Sequence, residues 1–198
     1  GHSPGSSLQL RSGQADPGLD VAYNDLFAHS SPRIVPGLEA VSVFFRYSLG
    51  LSAWKQAGSS RWALRVNPSS GNLHPTEGYA VVGPGVVGHE PGVCHYAPDA
   101  HALEQRCLFS ADAWDNVMRA LPQGAFLAGL TSIHWREAWK YGERAFRYCQ
   151  HDVGHAIAAM RMAAALMGWR LRVLPDCSHA ALAAVLGTDR GGDFGEAE

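Results

Sequence analysis

The sequence predicts a layered fold of helices and strands, α+β or α/β, built around one core. Three observations lead there. Of the 198 residues 46% are apolar and only 17% charged, which suits one domain and excludes a disordered chain. Helical stripes alternate with short apolar runs bounded by Gly, Pro, Asn and Ser, the order expected when helices cover a sheet. No internal repeat and no linker between two cores interrupts the pattern.

Residues 1–18 are rich in Gly, Ser, Pro and Gln. They read as a disordered or tag-derived terminus, or one that wraps a partner, ahead of a single domain over 19–198. Asp20 to His29 predicts a short helix ended by Pro32. Leu38 to Leu49 predicts a helix with an apolar stripe on Leu38, Val41, Phe44, Phe45 and Leu49, and Gly50 is a candidate left-handed cap. Ser59-Ser60-Arg61 reads as part of a loop before the polar run that starts at Arg65. Tyr79–Val82 and Val93–Tyr96 predict strands, separated by Gly83-Pro84-Gly85. Ser110 is the N-cap of a helix running to Leu121 before Pro122. Gly124 to Trp135 predicts a buried central strand. Lys140 to Gly168 is the longest helical pattern, and its many alanines point to a buried or interface helix. Trp169 to Leu174 predicts a strand. Ser178 caps a last helix, His179 to Leu186, ended by Gly187.

The formal charge of −2 gives no electrostatic case for a nucleic-acid or anionic-membrane partner. Cys94, Cys107, Cys149 and Cys177 lack CxxC spacing, so no metal site is indicated. No apolar run is long enough to span a bilayer and no export signal is visible, which makes a reducing cytoplasm with free, mostly buried thiols the expectation.

The densest chemistry lies in Arg65-Val66-Asn67-Pro68-Ser69-Ser70-Gly71-Asn72-Leu73-His74-Pro75-Thr76-Glu77. Pro68 fixes its own φ and biases Asn67 toward an extended conformation, so a helix does not pass through. Ser69, Ser70 and Asn72 offer short hydrogen-bonding side chains, and Gly71 lets the backbone approach a ligand closely. The bland reading is a polar connection before a strand. The functional one is a ligand loop at a strand mouth.

Pro68-Ser69-Ser70-Gly71-Asn72 resembles the Pro-Ser-Ser-x-Asn loop of the FMN-dependent nitroreductases. The longer run from Arg65 to Glu77 is similar to the SagB-type branch, which includes azoline dehydrogenases. Lys140 to Tyr148, then Gly154-His155 and the helix to Gly168, is similar to the same branch, as are Glu90 to Pro98 and His101 to Glu104. Together these matches extend across roughly residues 38–190. The resemblance implies an α+β fold with a mixed central sheet flanked by helices, a helix-mediated dimer, and FMN at the dimer interface. It also implies that a further C-terminal strand, usual in that family, is lacking here.

The same resemblance implies site residues. Pro68, Ser69, Ser70 and Asn72 would line the flavin, and Arg65 would meet its pyrimidine edge, unless Arg65 only pairs with Glu77. Arg46 and Ser48 would hold the phosphate, with Ser59-Ser60-Arg61 as a competing contact. Leu174 and Asp176 flank Pro175 in the turn expected near flavin N5. Lys140 and Tyr141 would be the acid/base pair of an azoline dehydrogenase, with Arg144 tuning the lysine. The bland alternative for them is a surface lysine and a packing aromatic. His155 reads as a satisfied core histidine, His74 as a substrate-side group and His179 as a surface residue.

The resulting expectation is an FMN-dependent oxidoreductase of the SagB type acting on an azoline ring in a peptide. An NAD(P)H-dependent nitro or quinone reductase, and a non-catalytic half of a tandem or heteromeric protein, compete with it. Its partners would be a second copy or a nitroreductase-like chain, and a small-molecule or peptide substrate.

Overall fold

A computed structural model describes residues 21–28 and 33–190. Among these residues six α-helices and six strands follow in the order α1 (Asp25–Ala28), α2 (Leu38–Leu49), β1 (Leu51–Ala57), β2 (Ser60–Arg65), β3 (Thr76–Val82), β4 (Gly92–Ala97), β5 (Ala102–Leu108), α3 (Ala111–Met118), β6 (Leu127–Ser132), α4 (Trp135–Tyr141), α5 (Ala145–Leu166) and α6 (His179–Leu186). The main sheet has the order β5-β4-β3-β6, and every pairing in it is antiparallel. This is the α+β arrangement, with helices on both faces.

β3 is the centre of the molecule, and every one of its residues is buried. Period-2 alternation sends Ala80 and Val82 to one face, where they pack with Phe44, Phe45 and Leu49 of α2 and Ala156, Met160 and Ala163 of α5. Gly78 belongs to that face too, since a Cβ there would collide with Leu49. Tyr79 and Val81 point the other way, joining Val93 and Leu186 beneath Trp114 of α3 and Leu182 of α6. Two apolar faces on one strand require two helical layers, and both are present.

The helix signals hold closely. Ser110 Oγ accepts from Ala113 N at 3.3 Å and Ser178 Oγ from Ala181 N at 3.1 Å, both N-caps as expected. Gly187 ends α6 in the left-handed conformation.

Several expectations need correction. Gly50 is extended rather than left-handed; glycine is required there because a Cβ would press on the Arg46 carbonyl. Ser60 and Arg61, expected in a loop, open the second strand of a β1–β2 hairpin that runs from Leu51 to Arg65. It was hidden because both of its faces are largely exposed and leave no apolar alternation. β5 adds a strand at Ala102–Leu108, where none was expected. β6 is shorter than Gly124–Trp135 and forms an edge rather than the centre.

The long helix is broken. Gly142, at φ 55° and ψ −133°, separates α4 from α5, a geometry that favours glycine. Trp169 to Leu174 forms no strand among the described residues: Trp169 and Leu171 pack on the core, but the segment pairs with no neighbouring strand. The predicted helix at Asp20–His29 shrinks to α1, residues 21–24 before it being non-helical, while Asp20, His29 and residues 1–18 lie outside the described residues.

Candidate functional site

The loop between β2 and β3 is held from below by one residue of α5. Asp152 is fully buried, and its carboxylate accepts Ser69 Oγ at 2.7 Å, Ser70 N at 3.0 Å and Ser70 Oγ at 3.2 Å. Three donors on one carboxylate satisfy most of its lone pairs, which is what allows the charge to be enclosed. Ser69 Oγ accepts in turn from His74 N at 2.8 Å. Asn72 Nδ2 donates to Ala63 O at 2.9 Å, tying the loop to the hairpin, while Asn72 Oδ1 lies 2.8 Å from His74 Nε2. Asn72 and His74 both take positive φ (60° and 51°), the cost of a tight double bend around Gly71.

Gly71 is where the two distant motifs meet. A Cβ on Gly71 would fall on Tyr141 Oη and within 2.9 Å of Lys140 Nζ. α4 and the break at Gly142 thus deliver Lys140 and Tyr141 onto the crown of the loop. Lys140 Nζ lies 5.4 Å from the centre of the Tyr141 ring, and Tyr141 packs against Tyr148 with ring centres 4.5 Å apart. Lys140 is exposed and Tyr141 half-buried.

A buried charge row flanks the loop on the other side. His95 places Nε2 2.8 Å from Glu77 and Nδ1 2.8 Å from Glu104, and Arg136 donates to Glu77 at 2.5 Å and to the His74 carbonyl at 2.9 Å. Burial alone would raise the Glu77 carboxyl, but the His95 hydrogen bond with Arg65 and Arg136 outweighs it and holds the group below its ordinary range. Arg65 Nη1 donates to the Thr76 carbonyl at 3.3 Å and lies in the field of Glu77 without a direct bond to it. Burial, reinforced by Arg65, pushes the His74 imidazole down to about 4, so it is neutral at physiological pH.

Glu137, one turn before Lys140, is fully enclosed and neither carboxyl oxygen has a partner among the described residues. Burial, with the neighbouring Asp152, raises it to about 7. Asn67, His74 Nδ1 and Thr76 Oγ1 are likewise buried and unpartnered. Buried polar atoms are nearly always satisfied, and these exceptions cluster at residues 67–76 and at Glu137 of α4.

The comparisons follow from this geometry. No family profile matches the chain. It is 35% identical over 109 residues, 51% of its length, to the trifolitoxin-processing protein TfxB of Rhizobium leguminosarum bv. trifolii. Among solved structures, a candidate nitroreductase of Anabaena variabilis superposes over 83% of the chain with TM-score 0.66 and 26% identity. The chain has a nitroreductase-like fold. The same fold recurs in the microcin synthetase McbBCD complex of E. coli with truncated pro-MccB17 bound, at TM-score 0.59 and 17% identity over 92% of this chain and 74% of that one. A Ralstonia eutropha candidate nitroreductase gives TM-score 0.65 and 13% identity over 94% of this chain and 88% of that one. The chain spans only 29% of TfxB and 35% of the Anabaena structure.

The other residues singled out by sequence lie as follows. Pro68 is exposed at the loop's shoulder. Arg46 is exposed near the end of α2, but Ser48 is fully buried and its hydroxyl donates to Phe44 O at 2.7 Å, back into its own helix. Arg61 stacks over Trp54 at 4.4 Å on the hairpin. Leu174 and Asp176 are exposed in a turn closed by Cys177 N donating to Leu174 O at 3.3 Å. His155 is not a core residue: half of its side chain is exposed, 3.9 Å from Asp152. Asp152, Glu137 and the His95 row went unrecognised. A lone acid inside an alanine-rich helix was the one visible signal for Asp152.

Proposed function

We propose that this chain is an FMN-dependent oxidoreductase of the SagB type that dehydrogenates azoline rings in a peptide. The observation that carries the reading is the contact of Gly71 with Lys140 and Tyr141, which joins the flavin-type loop to an acid/base pair. Bound flavin supplies a two-electron acceptor, and the protein contributes orientation and proton handling.

The residues present suit such a group. Ser69 and Ser70 shape the loop through Asp152 rather than reaching outward, so holding falls to Arg65, whose fork keeps donors beyond its bond to Thr76 O, to the second amide hydrogen of Asn72, and to the unpartnered polar atoms along residues 67–76. Arg46 is free to meet a phosphate; Ser48 would have to give up its bond to Phe44 O. Leu174, Asp176 and Pro68 border the same reading as exposed backbone-presenting positions.

Lys140 Nζ takes the ring proton of the substrate, and Tyr141 Oη, braced by Tyr148, orients the ring beside it. A peptide substrate is supported by the likeness to a trifolitoxin-processing protein and to a synthetase solved with its precursor peptide. A partner chain, a second copy or a heteromeric neighbour, is supported by the exposed side of α5, which carries Phe146, Gly154, Ala158 and Met162. Free thiols at Cys94, Cys107, Cys149 and Cys177 fit a reducing cytoplasm.

The test is the absorption spectrum of the purified protein with the released cofactor identified by mass, followed by turnover of a thiazoline peptide by wild type and Lys140→Ala. Stoichiometric FMN, with azoline oxidation lost in the variant while flavin is retained, supports the reading. A colourless protein that refuses added FMN, or a variant as active as wild type, overturns it.

A further inference from the structure

Between Val153 and Pro175 the chain carries no acidic residue but three arginines, Arg161, Arg170 and Arg172. The fold gathers them. Arg161 lies on the exposed side of α5, one turn before Ala165. Gly168, at φ 67°, then reverses the chain, and Trp169 Nε1 is anchored to the Ile34 carbonyl at 2.6 Å. Beyond that anchor the extended segment alternates: Trp169 and Leu171 pack on the core while Arg170 and Arg172 stay exposed. The result is an open cleft of about 420 Å³ lined by Arg161, Ala165, Trp169, Arg170, Leu171 and Arg172.

None of the three guanidinium groups has an ion pair or hydrogen bond among the described residues, and none of the Ser69–Asn72 loop lines the cleft. We propose that this cleft is an anion site for a phosphate-bearing small molecule, separate from the loop site. Three forks exceed what one carboxylate can accept, whereas a phosphate or diphosphate offers enough oxygens to engage them all. Leu171, Ala165 and the edge of Trp169 give an apolar floor for the rest of the molecule. Gathering like charges without a counterion is unfavourable, and a bound anion relieves it.

The experiment is isothermal titration of the full chain at physiological salt with ADP, with orthophosphate and with adenosine, repeated in excess FMN. Saturable ADP binding, absent for adenosine and weakened at least tenfold in Arg170→Gln and in Arg172→Gln but not in Arg119→Gln on the opposite face of the sheet, establishes the site. Tighter binding of ADP than of orthophosphate assigns it to a nucleotide, and equal binding to free phosphate. Equal affinity in all three variants, no binding at all, or displacement of ADP by FMN overturns the proposal. Because the readout is ADP affinity, failure of the flavin reading leaves it intact. Matching thermal melts of the variants separate lost contacts from lost folding.

Discussion

Glu77 and Glu137 are both enclosed carboxyls with basic side chains nearby, yet they hold protons oppositely. Glu77 is bonded to His95 and Arg136 and lies below its ordinary range. Glu137 has no bond to either oxygen among the described residues, sits beside the Asp152 carboxylate and is raised to about 7. The difference teaches that burial sets the cost of a charge, while the donor count decides whether the charge survives. One side of the loop is a closed structural row; the other is a carboxyl poised to change state next to Lys140.

The most disruptive way to break this comparison is Glu77→Ala. It strips His95 and Arg136 of their shared acceptor, leaving His95 with Glu104 and Arg136 with the His74 carbonyl, and a loss of about 3 kcal/mol is expected from two broken hydrogen bonds to a buried carboxylate. Urea unfolding near neutral pH measures it, and a loss below about 1 kcal/mol would show the row to be dispensable.

Glu137 carries a pH signature of comparable size. The folded state keeps its proton up to about 7, whereas the unfolded chain releases it near 4.5. Between those values the folded state binds more protons, so stability falls as pH rises through the window, by about 3 kcal/mol in all. Glu137→Gln removes that slope. Glu77 runs the other way, its contribution present above the ordinary carboxyl range and lost in acid. Denaturant midpoints of wild type and both variants across pH 4–8 distinguish the two, and parallel curves for wild type and Glu137→Gln would refute the assignment.

Asp152→Ala sharpens the picture at the loop. Losing a charged acceptor with three donors costs about 2 kcal/mol or more, and the damage falls on Ser69–Ser70. Hydrogen exchange of loop amides should accelerate, and flavin retention in a flavin-loaded preparation should drop. Gly71→Ala costs least in stability, about 1 kcal/mol for an alanine at positive φ. Its main effect is to push Tyr141 and Lys140 off the loop, so catalysis should suffer well beyond stability; a variant with unaltered turnover would separate that contact from the chemistry.

The parts legible in the sequence were those where residue type and local geometry coincide. Ser110 and Ser178 read as caps, Phe44 and Phe45 as an apolar stripe, and Asn67-Pro68 through Gly71 as a bend before a buried strand. The hairpin was not legible, because Trp54 and Trp62 are exposed and alternate with nothing. The break at Gly142 was masked by alanine-rich periodicity on one side and aromatics on the other. Trp169–Leu174 has strand composition, but composition cannot supply the neighbouring edge a strand needs. At the site, the loop and the Lys140–Tyr141 pair stood out as motifs, whereas Asp152 and Glu137 acquire meaning only once α5 and α4 are folded against Gly71.

β3 and the β1–β2 hairpin support the loop unequally. β3 is hydrogen-bonded along both edges and covered by helices on both faces, so its amides should exchange with solvent only when the whole molecule opens. Among the described residues the hairpin joins no other strand, and most of its residues face water. The loop therefore hangs between a rigid post and a compliant one. Isotope uptake should spread into it from Ala63 and Arg65 and stop at Thr76, making the hairpin the side from which the site opens.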